Sequence, residues 1–387
     1  MPAKLRRNLY PLSTGLGYDL VELIEAIKYE LPPIKVSTIS KKLGVTEDYV
    51  RRRIKKIEKA GLGFRINFDL RKIGLSTVLV IFEKPLNLDL ETRIKGIDKN
   101  LSYILRWHGN INFPRPMGLA MFYVPYNIEV KDNLVRLLEK KDLPKVIEAI
   151  ETDVSKYDDF NLKEEITSHG LEGKWKKVLD EYQKNKKDQQ KIDTNYQYEQ
   201  IEQKHIDLID LVILAKLQMD SLTPMTEIAR LLNVSVSKVN RHLQTHLISQ
   251  KIIESNSLRK RILNRENPEN LLFIVKGKTD YIDLMEHIIS DLSKFWEFLS
   301  ATYNSRTGDY VVLFMMKTYD VEKIDKYLHR IFGEVLGGEY FIGVLNKNSI
   351  KSYTIPFISF NREERNWDLD LQLMDVMRQK LLDILKY

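Results

Sequence analysis

The chain has no cysteine among its 387 residues. That excludes disulfides, thiolate metal sites and cysteine nucleophiles, and it fits an intracellular protein. Long apolar runs are missing too: none approaches the ~20 residues needed to cross a bilayer. The N-terminal MPAKLRRNLY carries basic residues with no apolar core behind them, so it does not read as a secretory signal. The expectation is a cytoplasmic protein with no membrane partner. Phosphate loops are also lacking, because neither Gly15-Leu16-Gly17 nor Gly337-Gly338 has the full glycine spacing between a strand and a helix. Gly337-Gly338 reads instead as a turn into a strand.

An excess of one charge sign is slight. The formal net charge of +7 permits nucleic-acid binding without requiring it. No Ser-His-Asp or paired-carboxylate constellation can be singled out, although triads need not be close in sequence. His242 and His246 stand four apart in HLQTH, but the motif lacks the glutamate of HExxH and has no third ligand nearby. Neither a metal nor a cofactor is expected, nor is an enzyme.

What is present is a soluble, globular composition, 43% hydrophobic and 30% charged, in a chain long enough for two to four domains. Val36–Leu62 reads as a helix, a tight turn at Gly44 and a second helix capped by Thr46. Ile39 and Leu43 share one face of the first helix, and Val50, Ile54 and Ile57 form the stripe of the second. Arg51, Arg52, Arg53, Lys55 and Lys56 lie off that stripe. A buried stripe with a cationic outer face is how a helix-turn-helix meets DNA. Alternation of Phe64, Ile66 and Phe68 then suggests a strand or wing.

From Ser76 the pattern changes to a buried strand at Val78–Phe82, an amphipathic segment near Asp89–Asp98, strands at Ser102–Trp107 and Gly118–Val124, a helix at Val130–Lys140 and a strand at Lys145–Thr152. That β-α-β-β-α-β order is that of a ferredoxin-like sandwich, and the free sheet face is apolar enough to need a cover. The polar stretch Glu172–Gln203, including KNKKDQQK, reads as a helical or flexible connector.

Then the pattern restarts. A helix at His205–Asp220 precedes PMTEIARLLNVSVSKVNRHLQTHL, where Ile228, Leu232, Asn233, Val234, Ser235 and Val239 stand 189 residues after Ile39, Leu43, Gly44, Val45, Thr46 and Val50. Six positions matching in kind at one offset mark an internal repeat. A basic wing candidate, Leu258–Asn264, and a second β-α-β-β-α-β run to Leu345 follow. Leu369–Lys386 is an amphipathic helix without a counterpart, suited to a dimer seam.

His205–Val239, with its IDLIDLVIL helix leading into TEIARLLNVSVSKV, resembles the opening of the leucine-responsive (Lrp/AsnC-type) transcription regulators. Thr307-Gly308-Asp309-Tyr310 is similar to the turn of that family's effector-binding sandwich. The first half resembles the layout more loosely, since Pro116-Met117-Gly118-Leu119 lacks the acidic and aromatic residues. The resemblance implies an α+β chain in tandem. Its expected parts are a winged helix-turn-helix at 1–72, a ferredoxin-like domain at 73–160, a linker at 161–203, a second winged helix-turn-helix at 204–266, a second ferredoxin-like domain at 267–360 and a C-terminal helix at 361–387.

The expected function is a sequence-specific DNA-binding transcription regulator with double-stranded DNA as partner, acting as a homodimer or an intrachain pseudo-dimer. The alternative is a protein–protein adaptor or an architectural DNA-binding protein. Expected DNA contacts on the first recognition helix are Thr46, Asp48, Tyr49, Arg51, Arg52, Arg53 and Lys56. Asp48 would repel phosphate unless it pairs with an arginine or a cytosine amine. On the second they are Ser235, Ser237, Lys238, Arg241 and His242, with Arg259, Lys260 and Arg261 of the wing on the phosphate backbone. A small-molecule effector would sit near Gly308 and Asp309.

Overall fold

The computed structural model describes residues 18–86, 104–126, 130–139, 143–159, 170–185, 203–260, 270–352, 354–356, 360–361 and 366–367. Helices α1 (Tyr18–Lys28), α2 (Val36–Leu43) and α3 (Glu47–Lys59) pack around Leu20, Ile24, Ile27, Ile39, Val50 and Ile57. Gly44 ends α2 in the left-handed region at φ 64°, and the Thr46 hydroxyl accepts the Tyr49 N–H to cap α3. The second unit repeats these devices in α6 (Leu208–Met219), α7 (Met225–Leu232) and α8 (Val236–His242). Asn233, a residue that tolerates the left-handed region, takes Gly44's place at φ 51°, and Ser235 caps α8 through the Lys238 N–H. A π-helical turn, Leu243–Ile248, continues α8.

The two units are joined through their wings. Strand β1 (Leu62–Phe68) pairs antiparallel with β7 (Ile253–Lys260), from Leu62 opposite Lys260 to Asn67 opposite Ser255. Phe64, Ile66 and Phe68 share one face of the ribbon, whose end at Phe64 and Leu258 packs into the first helical core and whose end at Ile66, Phe68 and Ile253 packs into the second. The wing expected at Leu258–Asn264 is thus a paired strand as far as Lys260, and the rest lies outside the described residues.

Strands β2 (Leu75–Phe82), β3 (Leu105–Phe113), β4 (Met117–Pro125) and β5 (Val146–Thr152) lie in the order β5-β2-β4-β3, with α4 (Val130–Glu139) on one face. Strands β8 (Asn270–Lys278), β9 (Phe298–Tyr303), β10 (Asp309–Lys317) and β11 (Tyr340–Ser352) repeat it as β11-β8-β10-β9, with α9 (Ile282–Leu292) and α10 (Thr318–His329) on their outer face. The inner faces meet in one apolar core that includes Leu79, Leu119, Met121, Ile274, Val311 and Leu345. Each sheet is the cover the other needs.

Both edges are sealed by strands that change partner. β11 leaves β8 to pair with β3. The strand that begins as β5 on β2 continues past Asp153 as β6 (Val154–Tyr157), which pairs with β9 of the other sheet. Among the described residues no sheet edge is left open between the halves, which removes the aggregation hazard of an open edge.

Part of the stretch read as a helical or flexible connector is helical and packed. Gly170–Asn185 is a helix, α5, docked on the second sandwich through Trp175, Val178, Leu179 and Tyr182. Those residues stand at the i, i+3, i+4, i+7 spacing of a helix face, and the lysines between them face outward. The amphipathic segment near Asp89–Asp98 and the C-terminal helix Leu369–Lys386 lie outside the described residues. No helix among the described residues is long and apolar enough to cross a membrane.

Candidate functional site

The most unusual chemistry of the interior gathers where the wing ribbon, the ends of β3 and β4, strand β6 and helix α6 meet. Arg106 is buried there although it belongs to a sheet strand. In the β3–β4 ladder Leu105 faces Phe122 and Trp107 faces Met121, so Arg106 is the extra residue of a β-bulge. Bulges re-aim side chains and are common beside active sites. Here the bulge turns the guanidinium to donate to the Tyr157 hydroxyl at 2.7 Å and to the Ser155 hydroxyl at 3.3 Å.

A second guanidinium arrives from β7. Arg259 lies over the Tyr157 ring, 3.5 Å from its centroid, and donates to Asn67 Oδ1 at 2.6 Å and to the Ile66 carbonyl at 3.3 Å. Tyr123 sits behind Arg106, 5.6 Å from ring centroid to guanidinium, and its hydroxyl accepts from Gln218 of α6. Among the described residues no carboxylate is within ion-pairing distance of either arginine, although Asp158 is near enough to favour the charge of Arg259.

Two guanidiniums around one phenol bias its ionisation. Burial pushes the Tyr157 hydroxyl up, but Arg106 and then Arg259 outweigh burial, and its pKa lies below the ordinary tyrosine value. Burial holds Arg259 below the usual arginine value, whereas for Arg106 the flanking tyrosines offset it. The cluster, with Arg106 buried and Arg259 and Tyr157 half-buried, is polar and positively charged and suits a carboxylate, since guanidinium–carboxylate bonds are the strong, charge-assisted kind.

Of the residues expected to meet DNA, most lie exposed on the two recognition helices or cap them, and His242 and Arg259 are turned inward. In α3, Arg52 pairs with Asp48 at 3.0 Å and Arg51 with Glu47 at 3.3 Å, while Arg53 lies over the Tyr49 ring. Lys56 is exposed and Thr46 is spent on the cap. In the second unit Ser237, Lys238 and Arg241 are exposed and Ser235 is the cap. His242 points inward, 5% exposed, against Asp210, and cannot reach a groove. Arg259 is turned into the cluster rather than out to phosphate. Lys260 ends β7, and Arg261 lies outside the described residues. Gly308 and Asp309 build a turn: Gly308 adopts φ 71°, its carbonyl accepts the Thr279 N–H, and Asp309 accepts the Thr307 hydroxyl.

Sequence reasoning missed Arg106, Tyr123 and Tyr157. The one local signal is a charged residue, Arg106, inside the strand-like run ILRW. Nothing in spacing links it to Tyr157 or Arg259.

No family model matches the chain, and no curated protein matches it either. Two solved structures share its fold along nearly the whole length. One is the siroheme decarboxylase NirDL, at TM-score 0.51 and 12% identity, over 94% of this chain and 99% of that one. The other is the same decarboxylase in complex with an iron-uroporphyrin III analogue, at TM-score 0.50 and 12% identity, over 93% and 98%. The chain has a mixed α+β fold, shared with that decarboxylase.

This corrects the functional expectation. The tandem layout that suggested a non-enzymatic DNA-binding regulator is, over its full length, the layout of a decarboxylase. The helix-turn-helix signal was real as structure and misleading as function, and the adaptor alternative gains no support from the same likeness.

Proposed function

We propose that the chain is an enzyme acting on a carboxylate-bearing iron tetrapyrrole, the substrate class named by the decarboxylase whose fold it shares. The observation that carries this reading is the pair of guanidiniums, of buried Arg106 and half-buried Arg259, around Tyr157. Two like charges held close together and partly withdrawn from water cost the empty protein stability, and a ligand carboxylate offsets that cost. We read each half as a winged helix-turn-helix with a ferredoxin-like sandwich, the chain being an intrachain pseudo-dimer. The site then falls where the halves meet, drawing Arg106, Tyr123 and Tyr157 from one and Gln218 and Arg259 from the other.

Decarboxylation assigns these groups distinct roles. A departing carboxylate gives up its charge as it becomes CO2, and a guanidinium bound to it would oppose that change. Both arginines are therefore assigned to carboxylates that stay, where they orient the ring. When the carbon–carbon bond breaks, CO2 leaves, the electron pair remains on the side-chain carbon and one proton must reach it. Tyr157, whose phenol its neighbours make more acidic, is the assigned donor, reprotonated afterwards from water.

The test is to incubate the purified chain with siroheme and follow the tetrapyrrole by mass for stepwise loss of CO2, alongside an absorbance titration with uroporphyrin. The expected result is binding by wild type, binding without turnover by Tyr157→Phe, and weakened binding by Arg106→Met. A wild-type chain that neither binds uroporphyrin nor changes siroheme would overturn the proposal.

A further inference from the structure

A separate set of side chains in the second helix-turn-helix unit has the composition of a metal site. Asp210, in the first turn of α6, is wholly buried. Its Oδ1 lies 3.0 Å from His242 Nδ1 at the end of α8, and its Oδ2 lies 3.0 Å from His246 Nδ1 in the π-helical turn. The candidate ligand atoms of all three residues lie within 4.8 Å of one another. Asp207 Oδ1, half exposed at the helix cap, is 3.5 Å from His242 Nδ1. HLQTH by itself had no third ligand; the fold supplies one from 32 residues upstream.

Three further observations point the same way. First, the arrangement is held rigid before any ion arrives. Asp210 also accepts the Asp207 N–H at 2.9 Å in a capping box, and the two imidazoles pack edge to face with centroids 4.6 Å apart. Second, the backbone departs from α-helical winding where His246 sits, and π-turns of this kind recur at functional sites.

Third, the fold does not need these residues. In the first unit, at the 189-residue offset of the repeat, Arg53 and Ile57 occupy the two histidine positions, and Leu20 and Val21 occupy the matching turn of α1. That unit closes the same three-helix core with apolar Leu20, Val21 and Ile57, while Arg53 lies over the Tyr49 ring outside it. A wholly buried carboxylate with two imidazoles is an expensive substitute, and a bound cation accounts for it.

We propose that Asp210, His242 and His246 bind one divalent first-row transition ion, with zinc the best match to two imidazoles and a carboxylate. The two Nδ1 atoms and the Asp210 carboxylate are the ligands, the imidazoles binding through unprotonated Nδ1. Each Nδ1 lies 3.0 Å from a different Asp210 oxygen, close to the edge of about 3.3 Å expected for a tetrahedron with bonds of 2.0–2.1 Å. Asp207 or water completes the shell, and the His246 side chain, 36% exposed, marks the route in. The ion clamps α6 to the end of α8 and so stiffens the second unit. This inference stands apart from the arginine cluster and from the proposed reaction.

The test uses the full chain, stripped with chelator and then titrated with Zn²⁺ and with Co²⁺. The expected result is one tightly held zinc per chain by elemental analysis, a visible Co²⁺ absorption band of a low-coordinate site, and a rise in melting temperature on adding zinc. His246→Gln, at a half-exposed position that tolerates change, should melt like wild type in chelator yet bind zinc at least 100-fold more weakly and lose the Co²⁺ band. Zinc binding that is equal in wild type and His246→Gln, or no binding above that of other surface histidines, would overturn the proposal. If His246→Gln fails to fold, the same comparison is made with Asp207→Asn, expected to weaken binding less; absence of the Co²⁺ band in wild type overturns the proposal in either case.

Discussion

Arg106→Met separates what the cluster does for the fold from what it does for a ligand. Methionine fills a similar volume without the charge. Removing the buried cation of the neighbouring pair relieves its desolvation and its repulsion by half-buried Arg259, and replacements of buried ionic groups by apolar ones are commonly neutral or stabilising by about 1–4 kcal/mol. Against that, the Tyr157 hydroxyl loses its 2.7 Å donor, and an unmet buried polar group costs about 1–3 kcal/mol. The terms nearly cancel, so stability in urea should move by about 1 kcal/mol or less.

Binding should respond quite differently. Each charge-assisted hydrogen bond to a carboxylate contributes about 1.5–3 kcal/mol, which corresponds to a Kd for uroporphyrin about 10- to 150-fold weaker. The pair of assays is urea denaturation of the ligand-free protein and absorbance titration of the porphyrin. Arg106→Lys should not restore affinity, because an ammonium cannot reproduce the planar fork. An unchanged Kd in a folded Arg106→Met protein would refute the reasoning. So would a loss of several kcal/mol without ligand, which would mean that the guanidinium is part of the structural framework.

Other consequences can be measured on the fold itself. Trp175 is fully buried, with Phe295 and Phe314 each 5.5 Å away between centroids, so Trp175→Ala should cost about 3–5 kcal/mol in chemical denaturation; an unchanged midpoint would mean that α5 is not docked. Gly308→Ala should destabilise far more than Gly337→Ala, although both glycines have positive φ. A Cβ on Gly308 would lie 1.9 Å from the Thr279 carbonyl oxygen, whereas one on Gly337 would meet nothing within 4 Å; equal melting temperatures would contradict this. Asp291 accepts from Tyr182 of α5 and from Lys294, and these bonds hold its carboxyl below the ordinary range despite burial. Its stabilisation is therefore complete above the ordinary carboxylate value and is lost as pH falls through the lower folded value. Protection of the α5 amides, taken relative to their intrinsic exchange rates, should fall in acid, and Asp291→Asn should flatten that pH dependence.

Features set by neighbours along the chain were legible in the sequence. The turn residues Gly44 and Asn233, the caps Thr46 and Ser235, and the stripes around Ile39, Val50 and Val239 are local requirements of helix geometry, and the repeat offset made them conspicuous. Short apolar, β-branched runs likewise located most of both sheets, and the apolar free face of the first announced that it needed a cover. Tertiary structure alone decided where the charged side chains went. Whether Arg259 meets phosphate or Tyr157 depends on β7 pairing with β1, and whether Arg106 points inward depends on one extra residue in a ladder with β4. Asp210 meets His242 and His246 only because three helices close on one another. Local propensity is read from a few residues at a time, whereas a site is made of groups from distant segments whose approach no spacing records. The sequence by itself therefore determined the building blocks and their repetition, while long-range packing decided which charges are buried together, and with them the chemistry.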